Sequence, residues 1–166
     1  MADILIYWRD YRKNAEGQAT AWHSNAKLLG ELLPGDRLWF VTSGKNLRQE
    51  AGQAGFLVAV WQVQEVKPNP GDDPAYPKDD YSYRIIPSEE GSVVLDEPVL
   101  VDQILRPEGR DKAASIGRFL QGPRKLDDQK VRLLRAAAGP KMALKWLTGN
   151  RSLTASGVQQ QRGATA

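Results

Sequence analysis

Residues 21–44, AWHSNAKLLGELLPGDRLWFVTSG, contain the pattern that decides the fold. Asn25 can cap a helix, because its side chain can accept hydrogen bonds from the free N–H groups of a first turn. Four leucines follow at helical spacing, and the Pro-Gly-Asp sequence at 34–36 then forces a turn. Residues 38–41, LWFV, read as a buried strand. The stretch therefore predicts a short helix, a tight turn and a core strand in succession.

Further strand patterns flank this stretch. Residues 4–9 alternate β-branched and aromatic side chains, and residues 56–66 begin as an apolar run and then alternate. Residues 81–87 and 92–95 have the same character in shorter form. Residues 68–80 hold four prolines and four acids, which predicts an exposed, irregular loop with the composition of a mobile segment.

The later part of the chain has helical patterns. Residues 98–105 favour a helix, since proline is well placed at a first helical position, although a strand is the alternative. Residues 113–120 form a second helix. An aspartate at 127 or 128 can cap a third helix, which we expect to end at residues 139–140 because proline lacks the backbone N–H.

Length and composition predict one domain over residues 1–150. The whole chain has 166 residues, of which 41% are hydrophobic and 26% charged, as in ordinary globular proteins. Residues 151–166 consist mostly of small and polar side chains with little to bury, so we expect a flexible C-terminal tail there.

Several classes of protein are disfavoured by composition. No apolar run approaches the roughly 18 residues of a membrane span, and no signal-peptide pattern is present, which predicts a cytoplasmic protein without a membrane partner. The chain has no cysteine and one histidine. Cysteine-based zinc sites are therefore excluded, and neither a metal nor a cofactor is expected.

The charge is divided unevenly along the chain. Residues 106–151 hold 12 basic and 4 acidic side chains, a net charge of +8, whereas residues 1–105 carry a net −6. The basic segment 106–151 is typical of proteins that bind the phosphate backbone of a nucleic acid. The alternative explanation is that these charges lie on solvated helix faces.

No catalytic residue can be assigned from motifs. The chain lacks a phosphate-binding Gly-rich loop with Lys-Ser/Thr, a G-x-S-x-G sequence and an H-E-x-x-H sequence. His23 would have to act as the general base for any serine nucleophile, yet no aspartate is close in sequence to orient its imidazole. This absence favours a binding module over an enzyme.

The chain contains five tryptophans, and these are the feature that indicates a binding function. Trp39 and Trp61 lie inside strand patterns and are expected in the core. Trp22 and Trp8 lie in or beside loops, where an aromatic face can stack a base at about 1–3 kcal/mol.

The chain resembles the PUA-like superfamily, and within it the EVE and YTH domains, which are small readers of modified bases. The resemblance covers about residues 3–66, with a weaker part at 113–135. A tryptophan, an asparagine, a short helix, a Gly-Asp turn, an aromatic strand and a serine follow in order. The matching positions are Trp22, Asn25, Gly35, Asp36, Phe40 and Ser43.

The resemblance implies a mixed α+β fold, namely a small curved β-barrel of about five or six strands flanked by short helices. It also implies an aromatic pocket in which Trp22 forms one wall. A second wall comes from the strand after the long loop, and nearby polar groups read the base edge. The resulting pocket candidates are Trp22, Trp8, Tyr81, Tyr83, Ser24, Asn25 and Ser43.

The function expected from these features is non-catalytic binding of DNA or RNA, with a modified base, expected to be methylated, held in the aromatic pocket. The basic segment supplies the candidates for phosphate contact, which are Arg118, Arg124, Lys125 and Arg132. Two alternatives stay open. One is a hydrolase or ribonuclease like those of the related ASCH branch, and the other is a protein-interaction domain.

Overall fold

The computed structural model of the protein describes residues 1–14, 19–109 and 114–148, the stretch 140–148 by backbone alone. These ranges contain seven strands, four α-helices and one 3-10 helix (Gly44–Leu47). The strands are β1 (Asp3–Tyr7), β2 (Trp22–Ser24), β3 (Arg37–Ser43), β4 (Gly55–Pro68), β5 (Tyr83–Pro87), β6 (Val93–Leu100) and β7 (Arg124–Lys125). The helices are α1 (Lys27–Gly30), α2 (Asp102–Leu105), α3 (Ile116–Phe119) and α4 (Asp128–Thr148).

The strands form one sheet in the order β2-β5-β4-β3-β1-β7, with β6 as an additional partner of β4. Only β1 and β3 run parallel among these pairs. Strand β4 is 14 residues long, and its first half pairs with β6 while its second half pairs with β5. Register shifts on both sides of β4 let this strand bend between its two partners.

The sheet curls so strongly that its distant strands meet. Trp22 lies on β2, and Trp8 follows β1, with three strands between β2 and β1 in the sheet order. The two indole rings are nevertheless only 5.5 Å apart between centroids. The sheet is therefore a small curved half-barrel, and the mixed α+β fold with flanking helices expected from the sequence is confirmed.

Alternation along the strands produces two apolar layers. In β1, Ile4 and Ile6 face one layer, while Leu5 faces the other. The layer that contains Ile4 also holds the aromatic residues Trp8, Tyr11, Phe40 and Trp61. The opposite layer packs the sheet against the helices through Trp39, Val41, Leu57, Ile116, Leu120, Val131 and Leu134. Both predicted core tryptophans, Trp39 and Trp61, are fully buried.

Strand β6 corrects the helix expected over residues 98–105. The chain stays extended through Pro98 to Leu100, and only Asp102–Leu105 is helical. The ladder between β4 and β6 is interrupted between Leu57 and Ala59, opposite the stretch that contains Pro98. A residue without a backbone N–H is tolerated there because the interrupted ladder requires no hydrogen bond from it.

Helix α4 corrects the expected break at residues 139–140. The helix runs without interruption from Asp128 to Thr148. Proline at 140 removes the hydrogen bond to the carbonyl of Ala136, and Ala136 is exposed, so water can satisfy that carbonyl. The predicted tail, residues 151–166, lies outside the described residues.

Two short strands were not expected. Trp22–Ser24, predicted as loop, pairs antiparallel with β5. Arg124 and Lys125, for which no strand was predicted, pair antiparallel with Leu5 and Ile4 of β1. Strands of two or three residues leave too little alternation for a periodic pattern to reveal them.

Candidate functional site

A cleft of about 610 Å³ opens where β1 ends, beside β2, and it extends to the segment that follows α3. Its volume lies within the roughly 300–1,000 Å³ of small-ligand sites. Residues from four separate parts of the chain line it, among them Tyr7, Trp22, His23, Tyr76, Arg118 and Gly122.

Trp22 forms an aromatic wall of the cleft and is only partly buried. Its ring meets Trp8 edge to face at 5.5 Å and lies 5.0 Å from Phe40. Such edge-to-face contacts are favourable and directional, so they fix the plane of the Trp22 ring before any ligand binds. The remaining surface of the ring stays available to the cleft.

Trp8 supports this wall from behind. Its side chain is fully buried, and its Nε1 donates a hydrogen bond of 2.7 Å to Oδ1 of Asn14. It belongs to the lining of the cleft but has no exposed surface to offer a base. Trp8 was predicted from the sequence to contact the base, whereas in the structure it holds the Trp22 ring in place.

The Asn69 side chain makes three hydrogen bonds within the segment 69–82, called here the Asn69 loop. Asn69 is buried, and its Nδ2 donates to the carbonyl oxygens of Tyr76 and Tyr81, each at 2.9 Å. Its Oδ1 accepts from the N–H of Gly71 at 3.1 Å. The loop is irregular and mostly exposed, as its proline content predicts, and the Asn69 side chain fixes it from within.

This anchoring brings Tyr76 and Tyr81 to the cleft. The two rings meet edge to face at 5.2 Å, and Tyr76 also stacks on the imidazole of His23 at 4.1 Å with the ring planes 10° apart. Tyr81 was expected from the sequence. Tyr76 was missed, because it lies in a Pro-rich stretch whose composition gives no indication of a defined structure.

His23 is held in one protonation state by its neighbours. Arg84 lies opposite it in the pairing of β2 with β5, and Arg84 Nε donates to His23 Nε2 at 3.0 Å. Asp72 pairs in turn with the Arg84 guanidinium, and that hydrogen bond lowers the pKa of the Asp72 carboxyl. Burial, and then the charge of Arg84, lower the pKa of His23.

The imidazole is therefore neutral near pH 7, with its proton on Nδ1, because Nε2 is an acceptor. Nδ1 is buried and has no hydrogen-bond partner among the described residues. A general base needs a free acceptor nitrogen at the cleft, and Nε2 is already occupied. The arrangement suits a structural support for Tyr76 better than a catalyst.

Ser24 and Asn25 both line the cleft, as the sequence predicted. Ser24 Oγ accepts from the N–H of Ala26 at 3.0 Å, and Asn25 is exposed. Asn25 is not the helix cap, which corrects that expectation. The N-cap position of α1 is Ala26, which forms no side-chain capping bond. The Asn25 amide therefore has no capping role to compete with contacts in the cleft.

Two predicted pocket residues lie elsewhere. Ser43 is buried at the end of β3, where its Oγ accepts from the N–H of Asn46 and begins the 3-10 helix. Tyr83 packs its ring on α1 at Gly30, so closely that a Cβ at residue 30 would lie 2.4 Å from the Tyr83 Cζ. Neither residue lines the cleft, because tertiary packing turns both side chains to other neighbours.

The fold places the four residues that were predicted to contact phosphate in different parts of the molecule. Arg118 is exposed and lines the cleft. Arg124 lies over the Phe119 ring at 4.7 Å, and Lys125 follows it on β7, where both are exposed. Arg132 is exposed on α4 and is not part of the cleft lining. The segment's Arg106 is buried and bound to Asp102 at 2.7 Å, so its charge is already neutralised.

Within the described ranges, no helix combines the length and the apolar character of a membrane span. Over the same residues, no three His, Asp or Glu side chains are grouped as ligands of a metal ion.

Comparisons with known proteins identify no family. No protein-family model matches the chain, and no curated protein does. Among solved structures, the chain is similar to the NMR structure of Rpa0253 from Rhodopseudomonas palustris, at 17% identity and a TM-score of 0.49. The similarity covers 84% of this chain and 94% of that one. At this level we draw no functional conclusion from it.

Proposed function

We propose that the protein is a non-catalytic nucleic-acid-binding module that holds a single base, unpaired or flipped out of a duplex, in the cleft. The observation that carries the proposal is the Trp22 ring, which is partly buried, lines the cleft and is fixed from behind by Trp8 and Phe40. A ring whose orientation is set in advance loses little side-chain entropy when a planar ligand stacks on it.

The other walls suit a base as well. Tyr76 and Tyr81 add aromatic surface, and the Asn69 side chain fixes the backbone of both. Ser24 and Asn25 provide hydrogen-bonding groups at the same cleft, as recognition of a base edge requires.

A methylated base is the ligand we favour. Ala19 and Ala21 are partly buried apolar residues in the lining, beside the Trp22 wall. Burying one extra methyl group on apolar surface is worth about 0.8 kcal/mol, which is roughly a fourfold preference for the modified base.

The hydrolase alternative has less support. Asp10 is the single carboxylate among the described lining residues, and the Arg9 guanidinium lies 3.7 Å from it. His23, the other candidate for proton transfer, uses Nε2 to accept from Arg84. This arrangement favours binding over catalysis.

The first test is titration with oligonucleotides carrying single methylated bases, in both deoxyribose and ribose form. We expect at least one modified oligonucleotide to bind more tightly than its unmodified match. Trp22→Ala should weaken that binding about tenfold to a hundredfold, the equivalent of about 1–3 kcal/mol of stacking.

Because Trp22 also packs on Trp8 and Phe40, its truncation will lower stability to some extent. Trp22→Phe is the control, since it keeps an aromatic ring on the same supports and should retain most of the affinity. Thermal melting establishes that each variant is folded at the titration temperature. A folded Trp22→Ala protein that binds as well as the parent would exclude the stacking role.

A further inference from the structure

A second depression adjoins the cleft. This groove, of about 810 Å³, is lined by Tyr7, Arg9, Lys45, Arg48, Gln53 and Ser115 together with their neighbours. Tyr7, Arg9 and Ser115 line both the cleft and the groove. The Tyr7 ring packs against Gly117, where a Cβ would lie 2.7 Å from the ring, so the tyrosine forms a low ridge between the two depressions.

The rims of the cleft differ in charge. On the side of the groove, Arg9, Lys45 and Arg48 are exposed, with Glu50 as the acid among the described groove residues. Arg9 is 82% exposed at its side chain, although Asp10 lies 3.7 Å away. The Asn69 loop on the other side has four aspartates and a single lysine, Lys78. A polyanion at the cleft is therefore attracted to one rim and repelled by the other.

Arg48 provides an independent indication. Its backbone has φ of 58°, the left-handed conformation, at the end of the 3-10 helix. This region is unfavourable for residues with a Cβ and is ordinarily occupied by glycine or asparagine. A long cationic side chain at such a position indicates that the side chain itself is useful there.

From these observations we infer that a polynucleotide crosses the Tyr7 ridge, with the phosphates that flank the bound base lying in the groove against Arg9, Lys45 and Arg48. The inference rests on the proposed function and adds the path that the strand follows on leaving the bound base. It also assigns three phosphate contacts to residues outside the basic segment 106–151.

The test compares Arg48→Gly, Arg9→Gln and Lys45→Gln with the parent protein, using the oligonucleotide that binds best. Each variant should bind about two- to fivefold more weakly at low salt. Each should also reduce the slope of log affinity against log salt concentration by about 0.7, as expected for one lost phosphate contact to a single strand. In Arg48→Gly the backbone can keep its left-handed conformation, because glycine adopts it freely, and thermal melting establishes that this variant is folded at the titration temperature.

Two controls make the result specific. Lys78→Gln removes a cation from the opposite rim and should leave the affinity and the salt slope unchanged, whereas a general effect of net charge would change both equally. The free modified nucleoside has no phosphate, so its affinity should be the same for the parent, Lys45→Gln and Arg48→Gly, whose residues lie outside the cleft lining.

Failure of this inference is distinguishable from failure of the proposed function. If binding depends on Trp22 but the groove variants keep the parental affinity and salt slope, the path of the strand is wrong and the base site stands. If the parent protein binds no oligonucleotide and no nucleoside, both proposals fall.

Discussion

His23 shows how much one residue's surroundings determine its role. The imidazole is stacked by Tyr76 and hydrogen-bonded by Arg84, while Asp72 and Asp73 lie close enough to act on its charge. The two aspartates favour the protonated form, but burial and Arg84 outweigh them, so the pKa of His23 is lowered. Protonation would remove the acceptor at Nε2 and place a second positive charge beside the Arg84 guanidinium.

The sign of the resulting pH dependence follows from this lowered pKa. In the unfolded chain His23 takes up a proton near its ordinary pKa of about 6.5, whereas the folded protein resists protonation until a lower pH. Between the two pKa values the unfolded state holds more protons, so stability falls as pH falls. We expect the melting temperature to drop between about pH 7.5 and pH 5.5.

His23→Gln is the matched control, because a glutamine carbonyl can still accept from Arg84 but does not titrate. The chain has no other histidine, so the parent should lose more stability than this variant over the same interval. Equal losses in the two proteins would show that His23 is not the group responsible.

At the scale of elements, the Asn69 loop connects β4 to β5 and provides one side of the cleft. Its prolines limit the backbone freedom of the unfolded loop, which reduces the entropy lost on ordering. Asn69 then satisfies two carbonyl groups and one N–H that would otherwise depend on water. The loop is consequently a rigid support for Tyr76 and Tyr81.

Asn69→Ala should therefore release the loop without unfolding the sheet. We expect faster amide hydrogen exchange over residues 70–82 and little change in β3 or β4, since those strands do not depend on this anchor. Affinity for the base ligand should fall as Tyr76 loses its fixed position. Asn25→Ala is a suitable comparison for hydrogen exchange, because Asn25 is an exposed asparagine outside the loop. Unchanged exchange in the loop of the Asn69 variant would contradict this account.

At the scale of the whole molecule, the fold redistributes the charges of the basic segment. Arg106 forms a buried salt bridge with Asp102, and the Arg124 guanidinium packs over the Phe119 ring. Arg118 is exposed at the cleft, whereas Arg132 lies outside the lining on α4. The net +8 of residues 106–151 therefore overstates the charge that faces the ligand.

The prediction that follows compares two exposed arginines of the same segment. Arg118→Gln should weaken oligonucleotide binding and lower its salt slope by about 0.7, because Arg118 lies at the cleft. Arg132→Gln removes the same charge from α4 and should change the affinity little. Measuring affinity at three salt concentrations for both variants tests this, and equal losses would point to net charge alone.

The sequence by itself determined the features that depend on neighbouring residues. Alternation predicted β1 and the second half of β4, because side chains on successive strand residues face opposite sides and one side must be buried. Continuous apolar runs predicted β3 and the first half of β4, which are buried on both sides. Their apolar content also placed Trp39 and Trp61 in the core. The loop position of Trp22 and the resemblance to EVE and YTH domains together made it a pocket candidate. Tyr81, Ser24, Asn25 and Arg118, which were also candidates, lie at the same cleft.

Tertiary structure decided everything that depends on contacts between distant residues. Curling of the sheet brings Trp8 behind Trp22, and one buried asparagine converts a Pro-rich loop into an anchor for Tyr76. Packing on Gly30 turns Tyr83 away from the cleft. The physical reason is the same in each case. Local patterns report which side of an element is buried, whereas a cleft is formed by side chains whose proximity is fixed by strand order, register and long-range hydrogen bonds.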